Sequence, residues 1–338
     1  MKKKILNVLY QSNDNYASIT GISLTSLLIN NKEIDEINIY LLNDKISIKN
    51  LNKLQKTCEK YNRNLIVVDT DKILNKLKNE LKVSPFKGTY TTYFKLFAIN
   101  DLKLKTDYIL QLDGDTIINS SLVGLFDIDL SNHLIAATYD CTMNSYKKFI
   151  DIPLTDKYYN CGVLFINQKN WKKEKCEEKI TNHLKTERNG YYTVDQDIIN
   201  VLFRDRITYL NLKYNFNSGF YIYGIKESLK MYDLKNEYYN TYEEIKAVYD
   251  KPIIYHCMGA MTGRPWEKNS IHPQNELYLR YKNKSLWKEE PLKEVKRSKI
   301  FNMQRRLYQI LPRNIYIHVH KLAQYLYLKK MNEKVTKK

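Results

Sequence analysis

Residues 108–118 read Y-I-L-Q-L-D-G-D-T-I-I. An apolar run of strand character ends in two carboxylates, Asp113 and Asp115, with Gly114 between them. Two Asp at that spacing can both face a hard cation, which takes oxygen ligands and neutralises a bound diphosphate. The same letters also fit a hairpin, because Asp-Gly between apolar runs is a strong turn signal. The surroundings have to decide between the two.

On either side, short β-branched runs recur at 5–10, 37–42, 65–68, 134–139 and 162–167. Helix-like segments lie between several of them. Ile19, Ile22, Leu24, Leu27 and Leu28 fall near a helical period, residues 48–61 are amphipathic, and 90–99 has helical character. Strands alternating with helices predict an α/β fold, a mixed but mostly parallel sheet covered on both faces. In such sheets ligands bind beyond the carboxyl ends of the strands. Polar residues just after Tyr10, Leu112, Tyr139 and Ile166 are therefore the first places to look for a site.

The net charge of +18 favours anionic partners, but it is unevenly placed. Residues 293–338 hold 13 Lys/Arg against 2 Asp/Glu, a surplus of +11. That concentration argues against a polyanion-binding main body, and no nucleic-acid motif is present. The pattern divides the chain into a catalytic domain over 1–290 and a basic helical tail over 291–338. In the tail Ile300, Met303, Leu307 and Ile310 keep helical spacing, Pro312 interrupts, and Ile315, Val319, Leu322 and Leu326 resume it. Such helices suit either adsorption to an anionic membrane or packing on the protein's own surface or on a second subunit. Five scattered cysteines without a C-x-x-C pair exclude a disulfide framework or zinc knuckle and point to a reducing compartment. The basic start at 1–4 leads into an apolar run too short for a signal peptide, and no stretch is long enough to span a membrane. A cytoplasmic protein is expected, peripheral on the inner face of the plasma membrane if the tail adsorbs.

Three more segments carry chemistry. Y-H-C-M-G-A-M-T-G-R-P-W (255–266) puts His256 at the end of a strand-like run, where it can complete a carboxylate metal site or sit as a satisfied core histidine. Its glycines would let backbone N–H groups approach phosphate, with Arg264 as a cation. Y-Y-N-C-G-V-L-F-I-N (158–167) places Asn160 and Gly162 at a strand start. T-V-D-Q-D-I-I-N (193–200) sets Asp195, Gln196 and Asp197 at a helix start, where acidic residues also complement the dipole.

In order, N-D-N-Y (13–16), T-T-Y-F-K-L (91–96), D-G-D (113–115), N-C-G-V-L-F-I-N (160–167), D-Q-D-I-I-N (195–200), N-F (215–216) and H-C-M-G…R-P-W (256–266) resemble glycosyltransferase family 8. That family contains retaining galactosyl- and glucosyltransferases of bacterial lipooligosaccharide and capsule, with glycogenin as a eukaryotic relative. The resemblance covers roughly 5–290 and implies a GT-A fold, a UDP-galactose or UDP-glucose donor, Mn²⁺ (or Mg²⁺) and a glycan or lipid-linked acceptor. By position it implies Asp113, Asp115 and His256 as metal ligands and Asn13, Asn15 and Tyr16 as the uracil pocket. Lys95, Asn160, Gly162, Asp195 and Gln196 match residues around the donor sugar. Gly259 and Arg264 match the diphosphate contacts, and Asp140 the acceptor side. Asn13 stands where bacterial relatives carry Asp, Lys95 where Arg is frequent, and Arg264 where Lys is usual.

Retention ordinarily suggests a carboxylate nucleophile. The position expected to face the anomeric carbon is Gln196, a poor nucleophile, which favours a front-face displacement with Asp195 as the alternative nucleophile. The rival functions are a sugar-nucleotide nucleotidyltransferase and a non-catalytic polyanion binder. The first should show a Gly-rich basic loop after the first strand, and residues 11–16 hold neither Gly nor Lys.

Overall fold

The computed structural model describes residues 3–188, 190–259 and 261–336. The basic ends Met1, Lys2, Lys337 and Lys338 lie outside the described residues. Among the described residues ten strands form two sheets: β1 (Ile5–Asn13), β2 (Glu36–Asp44), β3 (Asn64–Asp69), β4 (Tyr108–Leu112), β5 (Thr116–Ile118), β6 (Ile135–Tyr139), β7 (Tyr159–Asn167), β8 (Ile207–Tyr209), β9 (Phe216–Asn217) and β10 (Ile254–His256). The large sheet has the order β3-β2-β1-β4-β7-β6-β8 and the small one β5-β10-β9. Helices Ala17–Ile29 and Ile48–Glu59 make the crossovers that parallel strands require. The expected α/β architecture with a GT-A sheet is what the chain forms.

Both faces of the central strands of the large sheet are buried, which is why those strands lack visible alternation. In β1, Leu6, Val8 and Tyr10 enter one apolar cluster while Leu9 enters the other. A strand covered on both sides reads as a continuous apolar run. That is also why its direction is invisible in sequence. β7 runs antiparallel to both of its neighbours, whereas the other pairings in the large sheet are parallel.

This corrects one expectation. Tyr108 pairs with Asn167 and Leu112 with Val163, so the residues after Ile166 lie at the far end from Asp113. There Asn167 caps a helix and donates to the Leu130 carbonyl, 3.0 Å away. The end of β7 that reaches the site is its start, Asn160 to Gly162. The expected helix over 90–99 is a short α-helix, Phe94–Ala98, flanked by two 3₁₀ turns, Thr91–Tyr93 and Ile99–Asp101.

The helix Ala17–Ile29 is buried on nearly every side. It packs under the sheet and under residues 275–287, with Trp287 lying so close that a Cβ on Gly21 would meet its ring at 2.1 Å. Two of its polar residues are satisfied within the helix: Thr25 Oγ1 donates to the Gly21 carbonyl at 2.7 Å and Ser26 Oγ to the Ser23 carbonyl at 2.6 Å. Downstream, the backbone of Lys293 brackets that of Trp266 and Lys268, with N–H to O distances of 2.8 and 2.9 Å.

The chain then enters two helices, Lys299–Ile310 and Arg313–Thr336. Tyr308, Tyr316, Ile317 and Leu328 are buried, and Tyr308 donates to the Ile222 carbonyl at 2.9 Å. Tyr316 stacks on Tyr223 with ring centroids 6.2 Å apart. All five cysteines are free and buried. Among the described residues no helix is long and apolar enough to cross a membrane.

Candidate active site

The hairpin reading of D-G-D fails on pairing. β4 lies between β1 and β7, whereas β5 leaves the large sheet to pair antiparallel with β10. The Asp113–Asp115 turn is a crossing from one sheet to the other. Asp113 N–H donates to the Gly162 carbonyl at 2.8 Å, and Thr116 Oγ1 donates to the Asp113 carbonyl at 2.8 Å. Gly114 sits against the first turn of the Ala17–Ile29 helix, where a Cβ would meet Thr20 Oγ1 at 2.4 Å.

The small sheet delivers the third ligand-type side chain. His256 pairs with Thr116 in the β5–β10 register, and Cys257 N–H donates to the Asp115 carbonyl at 2.9 Å. Oxygen and nitrogen atoms of Asp113, Asp115 and His256 thereby lie within 4.8 Å of one another. Two carboxylates and an imidazole suit a divalent cation, and the cluster fits one. The His256 ring lies against the backbone of β7, where a Cβ on Gly162 would meet its Cε1 at 2.2 Å. Gly162 therefore makes room for the imidazole, a role distinct from the donor-sugar contact expected of it.

Arg264 places its guanidinium on this cluster. Its Nη1 is 2.6 Å from Asp115 Oδ2 and donates to Tyr16 Oη at 3.3 Å. His256 Nε2 stands 3.3 Å from Asp115 Oδ1, so one oxygen of Asp115 faces the imidazole and the other the guanidinium. Burial alone would raise the Asp115 pKa, but His256 and Arg264 outweigh it and hold the carboxyl well below the usual range. For His256, burial opposes charging and Asp115 outweighs it, so its pKa is raised. Gly259 admits the Arg264 stem, since a Cβ there would meet Arg264 Cγ at 2.6 Å.

Beside the cluster, Lys95 is 1 % exposed. Its ammonium is 2.8 Å from Asp195 and 3.4 Å from Asp113, and it donates to the Cys161 carbonyl at 2.9 Å. Burial opposes the charge on Lys95, and the two carboxylates overcome it. Asp195 is pushed up to about 6 by burial, against the pull of Lys95. Gln196 is held at both ends of its amide: Oε1 accepts from Cys161 N–H at 3.1 Å and Nε2 donates to Tyr158 Oη at 3.2 Å. The residue before this helix, Val194, has φ 41° and ψ −105°, a strained backbone for a β-branched residue. Asp140 is buried and accepts from Asn160 Nδ2 at 2.6 Å, and burial raises its pKa.

The segment expected to hold the base lies at the mouth. Asn13 Oδ1 caps the following turn by accepting from Tyr16 N–H at 3.1 Å. Asn15 is exposed, and its carbonyl accepts from Lys293. Tyr16 meets Trp266 edge-on, with centroids 5.9 Å apart. The structure thus gathers Lys95, Asp113, Asp115, Asn160, Gly162, Asp195, Gln196, His256 and Arg264 into one contact network, reached from Asn13–Tyr16 through Tyr16. Asp140 joins it through Asn160, and Gly259 through the stem of Arg264.

Sequence reasoning gave no role to Gln111, which donates to Asp113 Oδ1 at 3.0 Å, nor to Lys293. It also read Asp197 as a helix-start acid. Asp197 instead accepts from Tyr146 and Tyr158 hydroxyls, each at 2.6 Å, and from Thr193 N–H at 2.9 Å. Three donors on one fully buried carboxylate pin the strained turn in front of Asp195.

Residues 7–270 match the family model described as glycosyl transferase family 8. The chain belongs to that family. As a family 8 hexosyltransferase it takes a sugar nucleotide as donor and a glycan as acceptor, which disposes of the nucleotidyltransferase and polyanion-binder readings. It is similar to a lipopolysaccharide 1,2-glucosyltransferase of Escherichia coli (strain K12), 28% identical over 92% of this chain and 87% of that one. It is also similar to general stress protein A of Bacillus subtilis, 26% identical over 85% of this chain and 96% of that one. Among solved structures, the galactosyltransferase LgtC, crystallised with donor and acceptor sugar analogues, shares the fold with a TM-score of 0.65. Its identity is 21%, over 83% of this chain and 96% of LgtC.

Proposed function

We propose that this family 8 enzyme transfers galactose or glucose from its UDP-sugar to a hydroxyl of a cell-surface glycan, with Mn²⁺ and with retention of configuration. The observation that carries the reading is the Asp113–Asp115–His256 cluster with the buried Lys95–Asp195 pair against it. The three ligand side chains would hold the cation, which when bound neutralises the developing charge on the diphosphate. Arg264, already at the cluster, would share the diphosphate's charge, and Tyr16, Asn13 and Asn15 would hold the base. Lys95 is the counterion of buried Asp195 and holds Asp113 in place. Asn160, Gly162 and Gln196 would shape the sugar pocket, with Asp140 facing the acceptor.

The polar contacts favour front-face displacement. Asp195 is tied to Lys95 and Asp197 to three donors, so attack by either on the anomeric carbon would first have to break those bonds. In the front-face step the anomeric C–O bond to the phosphate breaks while the acceptor oxygen bonds on the same face. The acceptor's proton passes to the departing phosphate. The test is metal-dependent UDP release from a panel of UDP-sugars, with UDP binding recorded alongside. One hexose donor hydrolysed and chelator-sensitive is the expected result; failure to bind UDP with Mn²⁺ would refute the assignment.

The tail packs on the body and still leaves an apolar stripe exposed, which supports the membrane reading. Tyr308 of the first helix and Tyr316, Ile317 and Leu328 of the second are buried on the body, while Ile300, Met303, Ile310, Ile315, Val319, Leu322 and Leu326 are 49–75 % exposed. Exposed apolar residues among a surplus of +11 suit an anionic phospholipid surface, and adsorption there would bring the enzyme to a lipid-linked acceptor. Deleting the tail would uncover Tyr223, so substitution is the cleaner experiment. The double substitution Leu322→Glu with Leu326→Glu is expected to cut co-flotation with phosphatidylglycerol vesicles at least tenfold while leaving UDP release unchanged. Undiminished flotation would show that the stripe does not contact lipid.

A further inference from the structure

Asn215, in the N-F segment whose chemistry the sequence left unassigned, stands between the metal-type cluster and the acceptor-side carboxylate. Its side chain is 3 % exposed. Oδ1 lies 3.0 Å from His256 Nδ1, and Nδ2 lies 2.8 Å from Asn160 Oδ1. Asn160 Oδ1 also accepts from Gly162 N–H at 2.9 Å, and Asn160 Nδ2 donates to Asp140 Oδ1 at 2.6 Å.

These contacts leave one orientation for each amide. A backbone N–H can only donate, so the Asn160 atom facing Gly162 is the oxygen. The Asn215 atom that shares this oxygen must then be the NH₂, and its opposite end, toward His256, must be the carbonyl oxygen. An oxygen accepts, so Nδ1 of His256 carries a hydrogen. In the neutral ring that leaves the lone pair on Nε2, the nitrogen facing Asp115. Gly162 closes the other side of the ring, since a Cβ there would sit 2.2 Å from Cε1. The hydrogen bonds run in a single direction, from His256 through Asn215 and Asn160 to Asp140.

We propose that Asn215 is the positioning residue for the metal-binding imidazole: it fixes His256 as the Nδ1–H tautomer, with Nε2 presented to the cation. Through Asn160 it also ties that ring to Asp140. Partners of this kind orient a ligating histidine, and losing one costs about 10- to 100-fold in metal affinity. The inference rests on the proposed metal site, so the experiment separates the two.

Mn²⁺ affinity is measured by electron paramagnetic resonance on the full chain without donor or acceptor, with thermal melting of the same samples. Asn215→Ala is expected to weaken Mn²⁺ binding about 10- to 100-fold, as part of the larger loss caused by His256→Ala. The isosteric Asn215→Asp keeps an oxygen toward Nδ1 while losing the N–H toward Asn160. It is expected to bind Mn²⁺ within about threefold of wild type, because the tautomer is preserved. Wild-type affinity in Asn215→Ala beside weak binding in His256→Ala would overturn the role of Asn215 and spare the metal site. Equal loss in both Asn215 variants would also overturn it, because affinity would then follow the packing and not the acceptor oxygen. If Asn215→Ala does not fold, weak binding in Asn215→Asp alone overturns the proposal. Equal Mn²⁺ binding by wild type and His256→Ala would overturn the metal site and this inference together.

Discussion

Asp115→Ala is expected to lower metal-dependent UDP release about a thousandfold, the equivalent of roughly 4 kcal/mol of lost transition-state stabilisation. Asp115 is the residue on which the cluster's charges converge, one oxygen facing His256 and the other Arg264. Removing it does more than delete one ligand. The Arg264 guanidinium loses its counterion and stays at the cluster as an unbalanced positive charge that repels a cation. Asp115→Asn keeps the shape and one acceptor oxygen but loses the charge, so it should fall nearly as far. Arg264→Ala should separate the effects, weakening transfer while leaving Mn²⁺ affinity at or above the wild-type level. Steady-state UDP release and Mn²⁺ titration on the same preparations check this. An Asp115→Ala enzyme retaining a tenth of wild-type turnover would mean that the cluster is not where the diphosphate is neutralised.

The sequence made much of this legible because long elements carry a period and short ones do not. β1, β2 and the helices over 17–29 and 48–59 sit within a few residues of where their apolar pattern puts them. The ends of β1, β4 and β6 do point at the site, as the parallel-sheet rule requires. The same rule failed for β7, whose fully buried run has no feature that tells its direction. β9 and β10 have only two and three residues, too few for any periodicity, yet they carry His256 and flank Asn215. His256 was legible through the glycine-rich turn after it. Asn215 and Lys293 had no such context, because what distinguishes them is a partner 41 or 278 residues away. Asp197 was visible as an acid but not as a clamp, since its tyrosine partners lie 51 and 39 residues upstream.

Lys95→Met should be the most destabilising substitution in the site, at about 3–5 kcal/mol, because it strands a buried carboxylate without its counterion. The Asp195 side chain is only 6 % exposed and has Lys95 at 2.8 Å. For a fold whose total stability is of the order of 5–15 kcal/mol, that loss removes a large fraction. Adding Asp195→Asn should recover most of it, since an amide in the same place requires no cation, while activity stays lost. The pH dependence supplies an independent sign. Asp195 sits at about 6 even with Lys95 present, above its unfolded value, so the folded state binds the extra proton. Stability from this group therefore falls as pH rises through that range. Removing Lys95 pushes the carboxyl higher still, so Lys95→Met should regain stability when the pH is lowered from 7.5 to 5. The double variant should lack that gain. Urea unfolding of wild type, Lys95→Met and the double variant at both pH values measures all of this. A Lys95→Met midpoint equal to wild type at pH 7.5 would show that the ion pair is not what holds Asp195 in the wall of the site.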